Sequence, residues 1–148
     1  MFYGCSSLKT LNLSNFSVSY VKDMSYMFYG CPKLKSITGE NVSSLYWNVG
    51  RVTNMCSMFE GCNKLEAKLA SWNVDNVTNM NSMFRECYRV NTNLGGWNVC
   101  SVTNMDYMFY NCYRLTTNLS DWDVRNVMSH IDFSVKTPSE FVAPSWVR

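Results

Sequence analysis

Apolar side chains return at a regular spacing along most of the chain. The dipeptide Met-Phe begins five times, with steps of 26, 31, 25 and 25 residues, at Met1, Met27, Met58, Met83 and Met108. An aromatic column keeps the same register at Phe16, Trp47, Trp72, Trp97 and Trp122. Residues 58–82 and 83–107 are identical at 11 of 25 positions. Repetition at this period predicts an array of stacked structural repeats.

The pattern within one repeat predicts a short helix and a short strand. In residues 52–62 the apolar positions recur every three or four residues, with Thr53 or Asn54 as an N-cap and Gly61 at the exit. In residues 8–13 the leucines alternate with polar side chains, which is typical of a strand. One strand and one helix in each of about five repeats predict an α/β solenoid similar to the leucine-rich repeats.

The repeat motif also suggests a division of the chain. We expect the solenoid to occupy residues 1–133, with an insertion near residues 38–46 and a degenerate last repeat, because the motif stops after Val127. Residues 134–148 retain several apolar side chains, which predicts a C-terminal cap or docking tail. Since Met1 lies inside a repeat, the N-terminal edge is expected to be covered by further repeats or by another subunit.

Composition then excludes several classes of protein. The chain is 47% hydrophobic and 16% charged, so it should fold around a sizeable core. No apolar segment has the roughly 20 residues that a membrane span requires. The net charge of +2 is far from the basic balance of a nucleic-acid-binding protein, so nucleic acid is not an expected partner.

Residues suited to catalysis or metal binding are scarce. The chain has one histidine, no C-x-x-C pair and an odd number of cysteines, so we expect no enzyme activity, no metal site and no cofactor. Five of the seven cysteines stand four residues after a Met-Phe methionine, which predicts small buried side chains. They are Cys5, Cys31, Cys62, Cys87 and Cys112.

Basic residues occupy one exposed column of the predicted array, six residues after the methionines. This basic ridge consists of Lys33, Lys64, Arg89 and Arg114, and Tyr88 and Tyr113 precede the two arginines. Arginine and tyrosine are frequent in binding hot spots, so the ridge is a candidate site for an acidic protein, an acidic glycan or another polyanion. The alternative is a solvated turn. A second candidate surface is the column Asn12, Ser43, Lys68, Asn93 and Asn118, which can equally be an internal hydrogen-bonding row.

The recurring pattern W-N-V-x-x-V-T-N-M-x-x-M-F-x-x-C resembles the repeat of the BspA-like leucine-rich repeat surface proteins. The resemblance covers residues 1 to about 127. It implies an extracellular or cell-surface module without catalysis that serves adhesion or binds a protein or glycan. The alternative function is that of a viral or phage structural component, a decoration or fibre part located in the virion.

Overall fold

The structure, a computed structural model, describes residues 1–38 and 46–146. In these residues each sequence repeat lies directly on the next one, so equivalent side chains form columns through the stack. The clearest column is made of phenylalanine rings, and Phe28, Phe59, Phe84 and Phe109 follow one another at 5.5, 5.7 and 5.7 Å between centroids. The hydrophobic core is therefore continuous from one repeat to the next.

Six-residue runs of tight turns replace the predicted helices. These turn runs occupy residues 25–30, 56–61, 81–86, 106–111 and 131–136. In each run the second and sixth residues have positive φ, as at Ser82 (53°) and Glu86 (61°). A residue in this left-handed region interrupts an α-helix. No helix occurs in residues 1–38 and 46–146, so the prediction of one helix per repeat is wrong.

The amides of a turn run alternate between two kinds of partner. Every second amide closes a tight turn, as when the Met83 N–H donates to the Met80 carbonyl at 3.2 Å. The amides between them donate to the following repeat, as when the Phe84 N–H donates to the Met108 carbonyl at 3.0 Å. A helix directs its interior amides to its own carbonyls. The turn run instead uses half of its amides to join neighbouring repeats.

The predicted strands are reduced to single-residue parallel bridges. A file of bridges runs through the stack at Asp23, Asn54, Asn79, Asn104 and Ser129. At the first four of these bridges the side chain bonds to the backbone two residues later, which helps the chain to turn away: Asn79 Oδ1 accepts the Asn81 N–H at 3.0 Å. The segment predicted as a strand at residues 8–13 contributes one bridge, between Thr10 and Ser36. The α/β solenoid with a strand and a helix per repeat is therefore wrong for the described residues.

The aromatic column is buried from the second repeat onward, as its periodicity predicts. Trp97 is 4% exposed, and its indole N–H donates to the Leu69 carbonyl at 3.1 Å. Trp122 makes the equivalent bond to the Leu94 carbonyl at 2.9 Å. Phe16 shares the column in the sequence but is 45% exposed. The first repeat therefore leaves part of the core uncovered.

The cysteine column is buried too, and its thiols form hydrogen bonds with the backbone. Cys31, Cys62, Cys87 and Cys112 are fully buried, whereas Cys5 is half-buried. Each of the four buried thiols donates to a phenylalanine carbonyl of the preceding repeat, with 3.0 Å between Cys87 Sγ and the Phe59 oxygen. The Phe59 carbonyl also accepts the Cys62 N–H at 2.9 Å, so the thiol supplies a second hydrogen bond to a carbonyl group that is already engaged.

The repeating backbone continues beyond the end of the sequence motif. The Phe109 N–H donates to the Phe133 carbonyl at 2.8 Å, in the register of the earlier repeats. Phe141 then packs against Phe109 with 5.7 Å between ring centroids, and Trp146 stacks on His130 at 3.9 Å. These side chains cover the last repeat. The predicted insertion near residues 38–46 falls mainly on residues 39–45, outside the described part of the chain.

Candidate functional site

The basic ridge lies on a file of tight turns at the surface. In the repeat that begins at Met83, the Val90 N–H donates to the Cys87 carbonyl at 3.3 Å, which leaves Tyr88 and Arg89 at the centre of the turn. Cys87 and Val90 are buried. Because both ends of the turn are anchored in the core, its centre projects outward. The equivalent ridge residues, Lys33, Lys64, Arg89 and Arg114, are all exposed.

The structure extends the ridge by two lysines that the sequence analysis did not select. Lys9 and Lys35 stand side by side, because the Lys35 N–H donates to the Lys9 carbonyl at 2.8 Å. With Lys33, Lys64 and Thr10 they line a groove of about 330 Å³. We call this feature the lysine groove. The sequence contains a signal for these two lysines. Lys9 directly follows Leu8 and Lys35 directly follows Leu34, in the same column of leucines that the ridge residues precede.

One carboxylate neutralises part of this surface. Glu66 lies 3.3 Å from Arg89 and 3.9 Å from Lys35. The side chains of both pairs are 45% to 61% exposed, so these pairs contribute little to folding. Within the described residues, Lys33, Lys64 and Arg114 form no ion pair at all. The ridge and the groove therefore present uncompensated positive charge.

The two tyrosines named with the ridge come together. The Tyr88 and Tyr113 rings are 5.1 Å apart between centroids, in consecutive repeats. Tyr88 is half-buried and Tyr113 is 48% exposed. Burial raises the pKa of Tyr88, and the nearby Glu86 adds to the effect. The phenol of Tyr88 therefore remains a neutral hydrogen-bonding group near physiological pH.

Three asparagines of the second predicted surface, Asn12, Asn93 and Asn118, form local hydrogen bonds. Asn93 Oδ1 accepts the Gly95 N–H at 3.1 Å, and Asn118 Oδ1 accepts the Ser120 N–H at 2.9 Å. Asn12 makes the same local bond to Ser14. Ser43 lies outside the described residues. The three asparagines are engaged with their own backbone, and Lys68 is exposed. The basic face, which we define as the basic ridge together with Lys9 and Lys35, is therefore the stronger candidate.

Other chemistry is sparse in residues 1–38 and 46–146. No group of three or more His, Cys, Asp or Glu side chains is arranged to bind a metal ion there. None of the described segments forms a helix that could cross a membrane. The basic face brings six exposed lysines and arginines of this part of the chain to one surface.

The repeats also relate the chain to known proteins. No curated protein and no solved structure matches the sequence. A family model described as "Mycoplasma protein of unknown function, DUF285" matches residues 1–46 and 33–141. The two matches together span the stacked repeats, the basic ridge and the lysine groove. The chain, with its stacked repeats and basic face, therefore belongs to the DUF285 family of Mycoplasma-type repeat proteins.

Proposed function

We propose that the chain is a non-catalytic binding module that contacts an anionic ligand through its basic face. The supporting observation is the lysine groove, which four lysines line; within the described residues only Lys35 of these four is paired with a carboxylate, that of Glu66. Like charges held together at a surface attract an oppositely charged partner and speed its association. The ligand classes are an acidic protein, an acidic or sulfated glycan, or another polyanion.

The location that fits this function is the cell surface. The resemblance of the repeat to the BspA-like leucine-rich repeat surface proteins carries this part of the proposal, together with a role in adhesion. The finer assignment to that group goes beyond the DUF285 membership. Fold analogy alone does not name a ligand, so the binding residues have to be tested directly.

Charge reversal on the ridge tests the proposed function. We expect the double variant Lys64→Glu/Arg114→Glu to bind immobilised heparin or an acidic glycoprotein at least about tenfold more weakly, since it reverses two exposed cations. The free energy of unfolding, measured by thermal denaturation, should change by less than about 0.5 kcal/mol, because both side chains are exposed and unpaired. Lys22→Glu is the control variant. The Lys22 side chain is exposed, and the residue lies beside the Asp23–Asn54 bridge, outside the basic ridge and the lysine groove. Unchanged binding by the double variant would contradict the proposal.

A second candidate function is that of an assembly part, such as a virion decoration or fibre component. The observation that favours it is the apolar end of the first repeat, where Met1, Phe16 and Val21 help to line an open groove of about 310 Å³. Apolar side chains that are exposed together in this way favour association with another protein chain. Sedimentation equilibrium separates the two functions, since the assembly part should self-associate at micromolar concentration. Phe16→Ser should then return it to a monomer, whereas a wild-type monomer would count against this candidate.

A further inference from the structure

Two turn runs carry a tyrosine at both their second and their fifth residue. These tyrosine pairs are Tyr26 with Tyr29 and Tyr107 with Tyr110. The second residue is left-handed in each pair, with φ of 57° and 56°. The N–H of the fifth residue donates to the carbonyl of the second at 3.2 and 3.1 Å, and the ring centroids are 5.7 and 6.1 Å apart. The fold therefore presents the same aromatic pair twice.

The C-terminal tyrosine pair holds an arginine of the preceding repeat. The guanidinium carbon of Arg85 lies 5.2 Å from the ring centroid of Tyr107 and 5.4 Å from that of Tyr110. A cation at this distance is attracted to the negative face of an aromatic ring. Arg51 lies over the Tyr20 ring in a similar way, at 4.9 Å. Within residues 1–38 and 46–146, the cations that lie over tyrosine rings are thus both arginines.

The N-terminal tyrosine pair has a third tyrosine where the C-terminal pair has Arg85. Tyr3 stacks on Tyr29 with 4.9 Å between ring centroids, and its ring lies 6.4 Å from that of Tyr26. Tyr3 is 63% exposed and Tyr26 is 45% exposed. We call Tyr3, Tyr26 and Tyr29 the tyrosine cluster. No lysine or arginine among the described residues lies over these three rings, so the cluster offers exposed aromatic surface to a cation from outside.

The charges around the tyrosine cluster also favour a cation. Glu60 occupies the position of Tyr29 in the following repeat, and the Gly30 N–H donates to its backbone carbonyl at 2.8 Å. The Cys56 thiol and, less strongly, the Glu60 carboxylate raise the pKa of the Tyr26 phenol. The phenol is therefore neutral at physiological pH, and the negative charge of Glu60 acts on the same surface.

We propose that the tyrosine cluster binds an arginine side chain of a partner protein, with the guanidinium on the exposed rings of Tyr3 and Tyr26. A planar guanidinium can stack on an aromatic face, whereas the ammonium of lysine is a compact, strongly hydrated charge. Tyrosine and arginine are both enriched at the hot spots of protein interfaces. Because the cluster shares no residue with the basic face, this is a second binding surface, with the opposite charge preference.

Peptides that differ in one side chain give the first test. The probes are acetylated and amidated Gly-X-Gly peptides in which X is arginine, citrulline or lysine, and binding is followed through the NMR signals of the Tyr3 and Tyr26 rings. We expect millimolar binding of the arginine peptide. The citrulline peptide has nearly the same shape without the charge, and it and the lysine peptide should bind about threefold more weakly. Maltose represents a neutral ligand that stacks on aromatic rings.

Variants of the tyrosine cluster give the second test. Tyr3→Leu keeps an apolar side chain but removes the aromatic face, so it should weaken binding of the arginine peptide about threefold. Tyr3→Phe keeps the ring and should bind as the wild type does. Tyr20→Leu is the matched control, because Tyr20 is exposed outside the cluster and its ring already contacts Arg51. Thermal unfolding of each variant establishes that it is folded.

Removal of Arg85 gives the third test, because it uncovers the C-terminal tyrosine pair. In Arg85→Ala the ring signals of Tyr107 and Tyr110 should shift when the arginine peptide is added, whereas in the wild type they should not. Absence of this response would overturn the proposal. It would also be overturned by equal binding of the citrulline or lysine peptide, by equal shifts with maltose, or by unchanged binding to Tyr3→Leu.

Discussion

Each buried thiol of the cysteine column serves a carbonyl group of the preceding repeat, so single residues also act as links between repeats. Cys87 and Cys112 bond to Phe59 and Phe84 at 3.0 Å. Burial raises the pKa of both thiols above the ordinary value. A thiolate at either position would lose its hydrogen bond and place an unpaired charge in the core. The column should therefore be sensitive to alkaline pH.

We predict that the free energy of unfolding falls as the pH rises from about 8.5 to 9.5, by up to about 1.4 kcal/mol per pH unit for each such thiol. The sign follows because the unfolded thiol loses its proton in this range while the folded thiol keeps it, so alkaline pH favours the unfolded state. Urea unfolding of the reduced protein at several pH values measures the slope. Cys87→Ala should show a smaller slope than the wild type, and an identical slope would contradict the assignment.

Much of the residue-scale picture can be predicted from the sequence. The periodicity identifies the Trp and Cys columns as core, and Trp97 and Cys87 are indeed buried. It also identifies the ridge positions as exposed. The exposure of Phe16 is not predictable in this way, because burial depends on neighbouring repeats on both sides and a column shows only equivalence. The lysine groove was missed because it requires two separate columns to be adjacent in space.

At the scale of the element, the turn run is the unit that the spacing of apolar residues misidentified. Tight turns and a helix both return the chain to the same side every three or four residues, so residues 52–62 fit either one. The residues with positive φ include Ser57, Ser82 and Glu86, which carry no clear signature of a left-handed conformation. The asparagines in front of the runs also fit both structures, since they cap helices and form side-chain turns.

The positive φ of the turn run gives a prediction at this scale. Gly61 has φ 74°, and a Cβ added there would meet only Gly30, at an ordinary 3.6 Å. Gly61→Val should nevertheless cost about 2 kcal/mol or more, because a β-branched residue is strained in the left-handed region. Gly96→Val is the control, since its added Cβ meets nothing within 4 Å and its φ is not positive. Urea unfolding should separate the two variants, and equal stability would contradict a left-handed conformation at Gly61.

For the whole molecule, the register between repeats is the property that holds the stack together. Phe59 donates to the Met83 carbonyl, and Phe84 donates in the same way to Met108. Stability is then close to a sum over repeats and the contacts between neighbours. A stack of this kind should accept the loss of a complete repeat but not of a partial one.

Deletion of residues 83–107 tests this expectation, because it joins Ser82 to Met108 and restores the same sequence position. We expect a folded protein with cooperative unfolding and a smaller dependence of its stability on urea, since less surface is exposed when it unfolds. Deletion of residues 83–94 is the control. That shorter cut brings Gly95 to the position of Met83 and should abolish cooperative unfolding, and a folded product would contradict the register.

The constant step of the stack has a consequence for how such a protein can evolve. A gene that encodes near-identical modules can lose or duplicate one of them by unequal recombination, and the product keeps every backbone bond between modules. Each module of the C-terminal half brings one arginine to the surface, as Arg89 and Arg114 show. The valence of the array, and with it the avidity for a polymeric ligand, would then change through copy number alone.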